Sequence, residues 1–190
     1  MIRTWQQDKI DADRFIPAAV RVIREVAPLV VSVEVAADYA DQHEATDLVL
    51  RVDGGDWCFR VRKPDCRWRD LTIRASRPSG AKTEWAKIGE GFGDFYLYAW
   101  TSRESWPAGC FADWIVVDLA KFRAHPIMLR GKPGANPDGV RWLGWPKENL
   151  AAAGVLASVM APATLGFGSG CVLAPFGDTP PPGRKGNDGR

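Results

Sequence analysis

Residues 47–75 hold three strand-like runs in quick succession, and no other feature of this sequence limits its fold so tightly. The first, Asp47-Leu-Val-Leu-Arg-Val, closes on Asp53-Gly-Gly-Asp, whose Asp-Gly pair is a strong signal for a tight hairpin. Trp57-Cys-Phe-Arg-Val-Arg-Lys follows, and then, after a Pro-Asp loop, Asp70-Leu-Thr-Ile-Arg-Ala. Successive strand residues point to opposite faces, so Leu48, Leu50 and Val52 oppose Asp47 and Arg51. In the same way Phe59 and Val61 oppose Arg60 and Arg62, and Leu71 and Ile73 oppose Asp70, Thr72 and Arg74. The pattern predicts a three-stranded antiparallel meander with one apolar and one polar face.

Helical spacing brackets this meander. Phe15, Ala19, Val22, Ile23 and Val26 recur at intervals of three and four, which predicts a helix from Arg14 to Ala27 with Asp13 as its cap and Pro17 in its first turn. The β-branched segment after Pro28 reads as a strand or as a further helical turn. Thr83 caps a second predicted helix starting at Glu84, with Trp85, Ile88, Phe92, Phe95 and Tyr96 as its buried stripe. Trp114-Ile-Val-Val-Asp-Leu is a further strand leading into the helical Leu119-Ala-Lys-Phe-Arg, and beyond His125-Pro126 the pattern thins. The expected fold class is therefore α/β (α+β), with a helix, three strands, a helix and a strand in order. Residues 1–149 read as one globular domain, 150–176 as an apolar extension and 177–190 as a Pro/Gly-rich disordered tail.

Hydrophobic residues at 46% and charged residues at 25% are globular values, and 190 residues suffice for one buried core. A formal net charge of +2 is too small for attraction of the whole molecule to a polyanion, so a nucleic-acid role must rest on local asymmetry. That asymmetry lies between Arg60 and Lys87, where nine Lys/Arg face three Asp/Glu. Arg60, Arg62, Lys63, Arg74 and Lys82 are the candidate phosphate contacts. Trp68, Trp106, Trp142 and Trp145 fall in loop-like text and are candidate stacking surfaces, whereas Trp57, Trp85, Trp100 and Trp114 read as core.

Cys58, Cys66, Cys110 and Cys171 lack CxxC spacing and the chain has two histidines, which argues against structural zinc and predicts free thiols in a cytoplasmic setting. The opening Met1-Ile-Arg-Thr-Trp-Gln-Gln-Asp is polar, unlike a signal peptide, and the uncharged stretch from Leu150 to Phe176 is too rich in Gly, Ala and Pro to favour a membrane span. Gly89-Glu-Gly-Phe-Gly-Asp lacks the strand-to-helix setting of a phosphate loop, and no Ser or Cys has a recognisable triad partner set.

The element order, with Asp47 at the head of the first strand, resembles the PD-(D/E)XK (restriction-endonuclease-like) superfamily. That resemblance implies Mg²⁺ held by carboxylates against a scissile phosphate, with a lysine orienting the attacking water. Asp47 stands where the first carboxylate is expected, but the neighbouring strand reads Arg60-Val-Arg62, which puts a cation where the second belongs. Asp70 on the third strand is a substitute metal ligand alongside Asp47, and Glu44 just before Asp47 is another substitute carboxylate. Glu84 with Lys87, three residues apart on one helix face, is the substitute acid and lysine pair, since in that class these residues sometimes migrate to the helix. The run Thr46-Asp47-Leu48, Arg60-Val61-Arg62, Thr72-Ile73-Arg74 and Ser79-Gly80-Ala81-Lys82-Thr83-Glu84 is also similar to a set of proteins from phages and integrated elements. Three readings stay open: a Mg²⁺-dependent nuclease with catalytic Asp47, Glu84 and Lys87; a non-cutting DNA- or RNA-binding protein; or a factor that engages a host protein, its arginines forming internal ion pairs.

Overall fold

A computed structural model describes residues 13–30, 32–35, 48–53, 55–64 and 69–159. Its centre is a six-stranded sheet built from β1 (Val33–Val35), β2 (Leu48–Val52), β3 (Gly55–Arg62), β5 (Phe95–Trp100), β6 (Asp113–Asp118) and β9 (Leu156–Val159), neighbours in that order. The Asp-Gly hairpin forms: Val52 pairs with Gly55, and Asp53 takes the left-handed φ of 45° that a two-residue turn requires. β3 and β5 run parallel, with Arg60 opposite Tyr98, whereas the other pairings in this sheet are antiparallel. Parallel neighbours need a long crossover. Here it contains β4 (Leu71–Ser76) and the helix α2 (Glu84–Gly89).

β4 corrects the meander expected from the sequence. It leaves β3 and pairs with β8 (Arg141–Trp145), which pairs in turn with β7 (Lys132–Ala135), so the third strand founds a separate three-stranded sheet. The helix α1 (Ile16–Val26) covers one face of the large sheet, burying Ala19, Val22 and Ile23 with Leu50, Trp57, Phe59, Leu97 and Val116. The opposite face packs Tyr96, Tyr98, Trp100, Ile115 and Val117 against Leu71, Ile73 and Trp145 of the small sheet, Ile88 of α2 and Phe122 of the helix α3 (Leu119–Ala124). Both faces of the large sheet are thus buried. Residues 57–60 of β3 are inaccessible without interruption, and the face read as polar points into the protein.

Several boundaries differ from expectation for local reasons. α1 starts at Ile16, with Phe15 and not Asp13 in the cap position. α2 stops at Gly89, because Gly91 and Gly93 adopt positive φ, and Phe95 and Tyr96 belong to β5 instead of a helical stripe. At Gly93 a Cβ would come within 2.8 Å of the Cys58 Sγ, so the turn into β5 needs glycine for space as well. Thr83 precedes α2, but its hydroxyl donates to the Ala75 carbonyl at 3.1 Å and thereby ties α2 to β4. The segment after Pro28 resolves as strand β1. The boundary expected at 149/150 falls within the helix α4 (Lys147–Ala152), and Leu150 and Val155 lie in the same core as Tyr98.

Trp57, Trp100 and Trp114 are buried as expected; Trp145, read as a loop residue, is buried too and donates its indole N–H to the Ile127 carbonyl at 2.8 Å. Cys58 is a buried thiol outside any disulfide, whereas Cys110 is disulfide-bonded, which corrects the expectation of a thiol there. Spacing in sequence carries no information on which cysteines meet. Among the described residues no helix is long and apolar enough to cross a membrane.

Candidate nucleic-acid interface

The crossover brings Glu84 into one buried cluster with Arg60 of β3. Arg60 projects from β3 beneath the small sheet, and its Nη1 lies 3.1 Å from the Glu84 Oε2 at the start of α2. Glu84 is 1% exposed and Arg60 6%. The carboxylate also accepts the Tyr96 hydroxyl on Oε1 and the Arg74 backbone N–H on Oε2, the latter at 3.1 Å. Arg60 Nη1 reaches the Thr72 carbonyl at 3.5 Å, and the Thr72 and Tyr98 hydroxyls meet at 2.6 Å. Both sheets and α2 are therefore joined through one carboxylate and one guanidinium. Lys87 is buried on the same helix.

The physical logic is mutual. A buried carboxylate or guanidinium is stable only with a partner and with its remaining hydrogen-bonding capacity filled. Arg60 and Glu84 supply each other's charge, and Tyr96, the Arg74 amide and the Thr72 carbonyl occupy much of what is left. Burial drives the Tyr96 phenol well above its ordinary range, opposed by Arg60 and reinforced by Glu84. Burial also raises Tyr98, while the positive charges of Arg62 and Arg60 act in the other direction. Both hydroxyls stay protonated, and that of Tyr96 donates to Glu84.

This arrangement does not fit the metal site that the resemblance implies. The Glu84 oxygens are turned to Arg60, Tyr96 and the Arg74 amide, and a guanidinium beside a carboxylate disfavours a second cation. Among the described residues no three His, Cys, Asp or Glu side chains gather as ligands. Asp70 is partly buried immediately before β4, and Asp47 lies outside the described residues, as do Glu44 and Trp68.

The remaining cations divide. Lys82 pairs with Glu90 in an exposed contact, where solvent screens it. Arg62 and Lys63 sit at the end of β3, partly buried and exposed respectively, and Arg74 is a partly buried residue of β4. Arg74 lies directly opposite Trp142 on β8, and Trp142 lies opposite Gly134 on β7. In the adjacent row Thr72, Gly144 and Lys132 line up across the same three strands. Side chains at these six positions share one face of the small sheet. Leu71, Ile73, Leu143 and Trp145 occupy the other face, against the core.

Trp142 shapes that face. A Cβ at Gly134 would fall 2.2 Å from its Cζ2 and one at Gly144 3.2 Å from its Cζ3, so the indole lies down across bare backbone. Trp142 was legible as a candidate stacking residue. Lys132 was missed, because Lys132-Pro-Gly-Ala does not read as a strand. The signal that was present is the alternation Trp142-Leu-Gly-Trp145, apolar inward with glycine outward. No family model matches the chain, and no curated protein and no solved structure matches it.

Proposed function

We propose that this protein binds nucleic acid without cutting it, through a basic surface formed by Arg62 and Lys63 at the end of β3 and by Arg74 and Lys132 on the small sheet. The observation that carries this reading is the engagement of Glu84. Glu84, expected to serve cleavage as the substitute acid beside Asp47, is 1% exposed and ion-paired with Arg60. With that acid committed to the interior, the cations toward the surface act on phosphate by charge and hydrogen bonding, which supplies affinity without chemistry. Arg60 leaves the set of phosphate contacts and becomes the internal support of the surface, and the charge of Lys82 is offset by Glu90.

The test is a fluorescence-anisotropy titration of labelled DNA and RNA oligonucleotides, run in parallel with Mg²⁺ and with EDTA, followed by electrophoresis of the products. The expected result is equal binding in both buffers, intact oligonucleotide, and at least about tenfold weaker binding by Arg62→Ala/Lys63→Ala/Arg74→Ala. Cleavage in Mg²⁺ that Glu84→Gln abolishes would overturn the non-cutting reading. Absence of binding to every oligonucleotide would overturn the whole proposal and leave the host-protein reading in its place.

A further inference from the structure

From the face of the small sheet we infer that the ligand is single-stranded nucleic acid, with one base stacked on the indole of Trp142. This inference rests on the nucleic-acid reading above and adds the strandedness of the ligand and the residue that selects it.

The first observation is the seat of the ring. Trp142 is partly buried, and its indole lies over Gly134 and Gly144, where any Cβ would collide with it or crowd it. Two glycines under one ring hold it close to the sheet backbone from below. Other tryptophans are spent on the fold: Trp57, Trp100, Trp114 and Trp145 are buried, Trp85 stacks on Trp145 at 5.8 Å, and Trp106 packs on Phe15 at 5.0 Å. Trp142 lies on a sheet face and is not among the described residues of either core cluster.

The second observation is charge complementarity. Arg74 is the direct cross-strand neighbour of Trp142, Lys132 stands one row away on the same face, and no acid occupies any of the six positions of these two rows. The nearest acids in sequence are Asp70, two residues before Thr72 and outside β4, and Asp138 in the β7–β8 turn, which accepts the Val140 amide at 3.0 Å. Cations beside an aromatic plane fit a ligand that offers a flat π-face and a phosphate within one nucleotide's reach. A duplex buries its base faces in its own stack and presents phosphate alone, whereas a single strand presents both. An acidic peptide would satisfy the charges but would leave the indole unused.

The experiment uses the full chain and compares an oligothymidylate with a duplex of equal length, by anisotropy, for the wild type, Trp142→Ala and Trp142→Phe. The expected result is tighter binding of the single strand, a loss of about tenfold to a hundredfold in Trp142→Ala, and most of the affinity retained in Trp142→Phe. Should Trp142→Ala fail to fold, photocrosslinking of bromouracil-substituted oligonucleotide to the wild type, followed by peptide mapping, tests the same contact. A crosslink on the peptide containing Trp142 supports the inference, and a crosslink confined to other segments overturns it. Equal or tighter duplex binding that Trp142→Ala leaves unchanged also overturns it, while leaving the nucleic-acid reading intact. If neither ligand binds, that underlying reading fails and the inference falls with it.

Discussion

At the scale of single residues, Arg60 and Glu84 carry the most consequence. Alternation correctly put Arg60 and Arg62 on one face of β3, and sequence could not tell whether that face meets water or a second layer of protein. The outcome depends on β4 and α2 folding back over β3, which is set by contacts distant in the chain. Once buried, each charge depends on the other, so removing one partner strands the other in a poorly solvated interior. Glu84→Leu and Arg60→Met are each expected to cost about 3–5 kcal/mol of folding stability, and Glu84→Leu/Arg60→Met much less than the sum of the two single losses. Chemical denaturation of the four proteins measures this. Additive losses would mean that the two side chains act independently.

At the scale of elements, the crossover is the feature the sequence half revealed. The strands β2, β3, β4 and β6 and the helices α2 and α3 were legible because hydrophobic period and turn residues are local, whereas β5 was not, its Phe95 and Tyr96 falling at a spacing that continues the stripe of α2. The partner of β4 was not, since Leu71-Thr-Ile-Arg pairs equally well with any strand of complementary faces, and β8 and β7 carry Gly144, Pro133 and Gly134, which weaken a strand signal. The docking of this crossover on the large sheet passes through Tyr96 and Tyr98, and that predicts a pH dependence. Both phenols are raised above 10.0 by burial. In the unfolded chain they ionise near pH 10, so their contribution to stability is complete below that pH. Above it the unfolded state releases protons that the folded state retains, and stability falls as the pH rises. The denaturation midpoint is expected to decline beyond about pH 10, and more shallowly in Tyr96→Phe than in the wild type. An identical alkaline decline in both proteins would show that Tyr96 is not part of that dependence.

At the scale of the whole molecule, the α/β class was legible in the sequence, and the division of labour among its cations was not. A run of nine Lys/Arg and three Asp/Glu between Arg60 and Lys87 looks uniform in sequence, yet folding sends Arg60 and Lys87 inside, pairs Lys82 with Glu90, and brings Arg74 beside Trp142 and Lys132 from distant strands. A net charge of +2 gives the molecule little long-range attraction, so affinity for a polyanion must come from that small set of local contacts. The salt dependence of binding therefore tests the account most directly. We predict that the logarithm of the association constant for single-stranded oligonucleotide falls linearly with the logarithm of salt concentration, and that Arg74→Ala and Lys132→Ala each reduce the slope by about one. Binding that is indifferent to salt, or a slope unchanged by both substitutions, would contradict it.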